Sequence, residues 1–116
     1  MHPAHPLASA ADLDTAVAAS EAGPVILFKH SLTCGTSGMA AEEVRAFADT
    51  APDVPIYQLA VQRQRDVSAL IERRFGIRHE TPQVIVLRHG AVAWHGSHFR
   101  VTAAALDAAV GALVAR

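Results

Sequence analysis

Val25-Ile26-Leu27-Phe28 runs apolar without alternation and leads into Lys29-His30. A strand with one wet face alternates, whereas a continuous run reads as a strand covered on both faces, inside a sheet with helices on either side. That restricts the chain to a layered α/β arrangement. Directly beyond stands Ser31-Leu32-Thr33-Cys34-Gly35-Thr36-Ser37, which holds the only cysteine of the sequence and passes into a helical pattern. A lone thiol at a strand-to-helix junction, with a serine three residues on, is the arrangement of a redox centre or a nucleophile.

The pattern extends in both directions from that strand. Ser9 caps a first helix running to about Glu21, with Asp12 three residues on and Leu13, Ala16 and Val17 at helical spacing. Gly23-Pro24 stops it. Ala40, Val44, Phe47 and Ala48 define a second helix over about 37–49. Val54 to Val61 reads as a second strand, which Pro55 assigns to a sheet edge. A helix over about 66–75 turns Val67, Leu70, Ile71 and Phe75 inward and ends at Gly76. Val84-Ile85-Val86-Leu87 and Ala91-Val92-Ala93-Trp94, joined through His89-Gly90, form a tight hairpin. Thr102 caps a last helix with Leu106, Val110 and Leu113 inward, and Trp94 is expected to pack beneath it. The element order is α-β-α-β-α-β-β-α. With a cysteine at the first strand-to-helix junction and Thr81-Pro82 just before the hairpin, it resembles the thioredoxin fold. The expectation is one thioredoxin-like domain over 1–116, a four-stranded mixed sheet flanked by helices, with residues 1–6 loose apart from a short extended piece at His5 to Leu7.

Composition narrows the function. The chain has 116 residues, 51% hydrophobic and 18% charged, and is globular rather than disordered. A net charge of −1 gives no bulk attraction to nucleic acid or an anionic membrane, so neither is expected as a partner. One cysteine excludes an intramolecular disulfide framework and fits a reducing compartment. No apolar run reaches the roughly 18 residues of a membrane helix, and the first residues lack the basic region of a secretory signal. A cytoplasmic location is the expectation. Lys29 is the sole lysine among ten basic residues.

Thiol–disulfide exchange requires a thiolate, and a cysteine at a helix start has unpaired N–H groups and the positive dipole end to stabilise one. Lys29 and His30 could add positive charge, although a strand sends them to opposite faces. Gly35 allows close approach of a thiol ligand, and Thr36 or Ser37 can hydrogen-bond the sulfur or the helix start. Cys34-Gly35-Thr36-Ser37 is C-x-x-S, without the resolving cysteine of a dithiol enzyme. A mixed disulfide formed on Cys34 must therefore be expelled by an external thiol, which is monothiol chemistry. The competing reading is an inert cysteine packed as a small hydrophobe. Thr81-Pro82 fits the same site as the residue pair that faces the cysteine in thioredoxin folds, where the proline is cis. By residue type alone, Pro82 equally reads as the opening of a strand. His79 and Glu80 adjoin that pair. His79 is a candidate to support the thiolate or protonate the leaving sulfur, and Arg78 to bind a ligand carboxylate. Arg63, Arg65, Arg73 and Arg74 read as a solvated helix face open to anionic substrates.

Phe28-Lys29-His30-Ser31 with Thr33-Cys34, Ser37 and Ala40, then Arg73, Phe75-Gly76-Ile77-Arg78-His79-Glu80-Thr81-Pro82-Gln83, then Trp94-His95 and Ser97-His98, resembles the YtxJ-type monothiol bacilliredoxins. The resemblance spans the chain from about Leu7. It implies that Cys34 removes bacillithiol from protein mixed disulfides, with bacillithiol as co-substrate and no tightly bound cofactor. The partners it implies are bacillithiolated cytosolic proteins and the low-molecular-weight thiol. The thiol- and substrate-binding set it implies is Lys29, His30, Thr33, Gly35, Thr36, Ser37, His79, Glu80, Thr81 and Pro82. Two positions depart from the family: Gly35 replaces a common proline, and Phe99 stands where tryptophan is frequent.

Gly35 also makes Cys34-Gly35-Thr36-Ser37 similar to the C-G-F-S motif of monothiol glutaredoxins, which carry iron–sulfur clusters with glutathione. The paired glycines that bind glutathione there have no counterpart here. A cluster carrier is the second reading, and a non-catalytic thioredoxin-fold interaction module the third. His95-x-x-His98 has a metal-like spacing but falls at a strand end without a nearby carboxylate or thiol, so no metal site is expected.

Overall fold

The computed structural model describes residues 4–33 and 35–114. Ten segments follow one another: β1 (His5–Pro6), α1 (Ala10–Ala19), β2 (Val25–His30), α2 (Gly35–Thr50), β3 (Ile56–Ala60), α3 (Arg65–Phe75), β4 (Gln83–Arg88), β5 (Ala91–Ser97), a single 3-10 turn (His98–Arg100) and α4 (Ala103–Val114). The sheet has five strands in the order β1-β3-β2-β4-β5, parallel across β1, β3 and β2 and antiparallel across β2, β4 and β5. β2 is central, as its unbroken apolar run requires.

The expected four strands are thus five. His5 and Pro6 pair with Tyr57 and Gln58, the Leu7 amide donates to the Gln58 carbonyl at 2.8 Å, and Leu7 is buried. The extended piece expected at His5 to Leu7 is this strand, but two residues, one of them proline, carry no periodicity, so only their distant partner makes them part of the sheet. The edge position assigned to β3 is corrected by the same pairing, because β3 lies between β1 and β2. Pro55 precedes the strand and contributes only its carbonyl, which accepts from the Ile26 amide at 3.0 Å. A missing N–H outside the ladder costs nothing.

Alternation across the sheet sorts the core into two layers. Ile26, Phe28, Val84 and Val86 pack under Ala40, Val44 and Phe47 of α2 and Leu106 and Val110 of α4. Val25, Leu27, Leu59, Ile85 and Leu87 pack under Leu13 and Ala16 of α1 and Val67 and Ile71 of α3. Each buried Val, Leu, Ile or Phe side chain among them contributes roughly 1.5–3 kcal/mol. Caps hold the helices where the sequence places them. Ser9 Oγ accepts from the Asp12 amide while the Asp12 carboxylate accepts from the Ala8 amide, and Thr102 Oγ1 accepts from the Ala105 amide. Gly76 closes α3 at φ 67°, in the left-handed region.

In the hairpin, His89 and Gly90 take φ of 55° and 74°, the two positive values a two-residue I′ turn demands. A register shift between Val86 and Leu87 then leaves one extra residue in β5. It turns Val92 to the α1/α3 layer and Trp94 to the α2/α4 layer, although strict alternation would put both on one face.

Candidate functional site

Cys34 lies outside the described residues; the segments that enter and leave it are described. Ser31, Leu32 and Thr33 follow β2, and α2 begins at Gly35. The buried Ser37 hydroxyl accepts from the Ser31 amide at 3.0 Å, tying the first turn of α2 back to the end of β2. Gln62, just past β3, holds the loop from the other side. Its Oε1 accepts from the Leu32 amide at 3.1 Å, and its Nε2 donates to Ser31 Oγ at 2.7 Å and to Thr33 Oγ1 at 3.4 Å. Sequence reasoning missed Gln62: it stands in a polar run, Gln62-Arg63-Gln64-Arg65, with nothing to mark one glutamine. A Cβ at Gly35 would meet no atom within 4 Å among the described residues beyond its chain neighbours and its own helix backbone.

Lys29 and His30 point to opposite faces, as the strand dictates. His30 lies on the Phe28 side, with the two rings 5.3 Å apart. Its pKa falls below the usual histidine value because burial disfavours the imidazolium, against an opposing hydrogen bond with the Ser31 backbone. Lys29 lies on the other side, flanked in register by Leu59 and Gln83. Its side chain is fully buried, and its Nζ has no hydrogen-bond partner among the described residues. Desolvation lowers its pKa to about 8, with the Glu72 charge pulling the other way.

His79 belongs to the Lys29 side. Its Nδ1 is 3.2 Å from Ser68 Oγ, and its amide donates to Glu72 Oε2 at 2.7 Å. Burial first, and the Lys29 charge second, depress its pKa. Glu80 turns away to β5. Its carboxylate accepts from Ser97 Oγ and lies 3.9 Å from His98 Nε2, and the serine hydrogen bond holds its pKa low. Between these two clusters the Thr81–Pro82 peptide is cis, and the Pro82 carbonyl accepts from the His98 amide at 2.9 Å. Gln83 Nε2 donates to the Arg78 carbonyl at 3.0 Å, closing the loop from beneath. Thr36 is half-buried and lines a groove with Met39, His98 and Phe99.

The structure thus assembles Thr33 and Ser37 around the loop that leads to Cys34, and Lys29 with His79 under α3. It separates His30 from Lys29, and Glu80 from His79. His95 and His98 are exposed, and no group of three metal-capable side chains forms among the described residues.

A mixed sheet of this order, a cis proline opening β4, and a single cysteine between β2 and α2 define a thioredoxin-fold protein of the thiol-redox class. The chain matches the family described as monothiol bacilliredoxin BrxC over residues 5–106, and it belongs to that family. Among solved structures it is similar to a candidate oxidoreductase with a thioredoxin fold, at 28% identity and TM-score 0.84, with 91% of this chain and 92% of that one covered. It is also similar to Fasciola hepatica thioredoxin (18% identity, TM-score 0.77, 94% and 98% covered). Thioredoxin of Trypanosoma brucei brucei gives 12% identity and TM-score 0.80, with 98% and 93% covered. At those two identities the likeness speaks for the fold.

Proposed function

We propose that the protein removes bacillithiol from protein mixed disulfides through Cys34. The observation that carries this reading is the family match over residues 5–106 in a chain whose only thiol is Cys34. The Cys34 thiolate attacks the bacillithiol sulfur of the mixed disulfide. That S–S bond breaks, its electron pair leaves on the substrate cysteine, which takes up a proton, and a new disulfide joins Cys34 to bacillithiol. With no second cysteine in the chain, a further small-thiol thiolate attacks the adduct, restores Cys34 and departs as the symmetrical disulfide. The cis Thr81–Pro82 turn supports the reading, because no backbone partner among the described residues takes the Thr81 N–H and C=O, and an extended thiol ligand can use both.

The test compares a bacillithiolated protein with the same protein glutathionylated, each treated with the full chain and excess small thiol. Bacillithiol release should be the faster, and it should vanish in Cys34→Ser. Release of glutathione with bacillithiol left in place would overturn the assignment of the small thiol.

A further inference from the structure

Beside the Cys34 loop, Val61, Gln62, Arg65, Ser68, Ala69, Glu72 and His79 line a cleft of about 390 Å³. That is the size of a small-molecule subsite. Its wall is continuous with the loop that carries the cysteine, because Gln62 bonds Ser31, Leu32 and Thr33 from the same side chain. The polar groups around the cleft are unevenly matched. Glu72 is its one carboxylate and already accepts from the His79 amide. The Arg65 guanidinium makes no ion pair among the described residues, and the N-terminus of α3 has no side-chain cap.

Behind the lining, on the α3 side of β2, stands Lys29, fully buried and with no hydrogen-bond partner for its ammonium among the described residues. Glu72 and His79, the groups that feel its charge, are both in the wall. Gln83 Oε1, opposite Lys29 in the register, also lacks a partner among the described residues. An amide oxygen can accept a hydrogen bond from one ammonium N–H, but it cannot neutralise the charge. Within the lining Arg65 and Glu72 balance, the Lys29 ammonium adds a positive charge from behind it, Glu80 acts on His79 from the far side, and burial holds His79 toward its neutral form. A buried cation is poorly screened, so Lys29 acts on a guest through space while Arg65, Ser68 and the free edge of His79 make the contacts.

We infer that this cleft is an anion subsite that seats a carboxylate of the small thiol exchanged at Cys34. The inference rests on the thiol-exchange reading above and adds where the ligand's charge is read.

Two measurements on the full chain test it. In the first, succinate, which has no thiol, is titrated while amide shifts are followed by NMR. Saturable shifts are expected at Arg65, Ser68 and His79, weakened about tenfold in Arg65→Ala, which loses one charge-assisted hydrogen bond, and in Lys29→Met, which loses a through-space attraction of comparable weight. Absence of saturable shifts in the wild type overturns the subsite. In the second, Cys34 exchanges with peptide disulfides of 3-mercaptopropionate and of 2-mercaptoethanol. The ratio of the two rates should fall about tenfold in each variant. An unchanged ratio in Arg65→Ala, an exposed position that leaves the core intact, overturns the inference. Should succinate bind while Cys34 exchanges with neither thiol, the anion site stands and the exchange reading falls.

Discussion

The Lys29 ammonium is buried on the central strand, and desolvation brings its pKa down to about 8 from 10.5. A folded-state pKa below the unfolded one means the unfolded chain binds more protons between those values, so stability rises with pH through that window. Below about pH 8 the folded protein carries the full penalty, on the order of 2 to 3 kcal/mol. Lys29→Met keeps the length and removes the charge. Urea denaturation should show the variant at least as stable as wild type near pH 7, with its advantage shrinking near pH 10. An equal gap at both pH values would contradict the assigned burial. Ser37 makes the opposite case: its hydroxyl is the only acceptor recorded for the Ser31 amide among the described residues. Ser37→Ala should cost about 1–2 kcal/mol in the same experiment, because it strands a part-buried N–H.

At the scale of elements, the hairpin shows how one irregularity sets a face. The bulge turns Trp94 inward over Gly96, where a Cβ would lie 2.7 Å from the far edge of the indole. Gly96→Ala should displace the ring, costing about 1–3 kcal/mol. Trp94 is the sole tryptophan, so the displacement should red-shift its emission; unchanged emission and stability would refute the packing. This bulge was not legible in Ala91-Val92-Ala93-Trp94, since alternation predicts one face for both large residues and only pairing with β4 breaks it. The turn beside it was legible, because His89-Gly90 at a two-residue spacing admits few hairpin geometries. So were the helix starts at Ser9 and Thr102, whose capping depends on residues three positions away.

Across the whole molecule, signals local in sequence gave the helices and the long strands, and signals that depend on distant partners did not. β2 declared itself through an unbroken apolar run. β1 showed only as a short extended piece, because its two residues join the sheet only against Tyr57 and Gln58. Leu7→Ala tests that the segment belongs to the core: a loss of about 2–4 kcal/mol is expected, where a loose terminus would lose almost nothing. The candidate site divides the same way. Lys29, Ser37, His79 and the Thr81–Pro82 turn stood out by chemical type and by resemblance, whereas Gln62 acquires its role only when β3 delivers it to the Ser31–Thr33 loop. The proposed function makes Cys34, the one thiol of a chain in the monothiol bacilliredoxin family, the atom that accepts the small thiol itself. The direct measurement is the intact mass of the full chain after brief mixing with a bacillithiolated protein and no other thiol. One bacillithiol adduct on Cys34 is predicted, matched by loss of the same mass from the substrate and absent in Cys34→Ser. A stripped substrate with no adduct on Cys34, or an adduct that persists in the variant, would contradict the account.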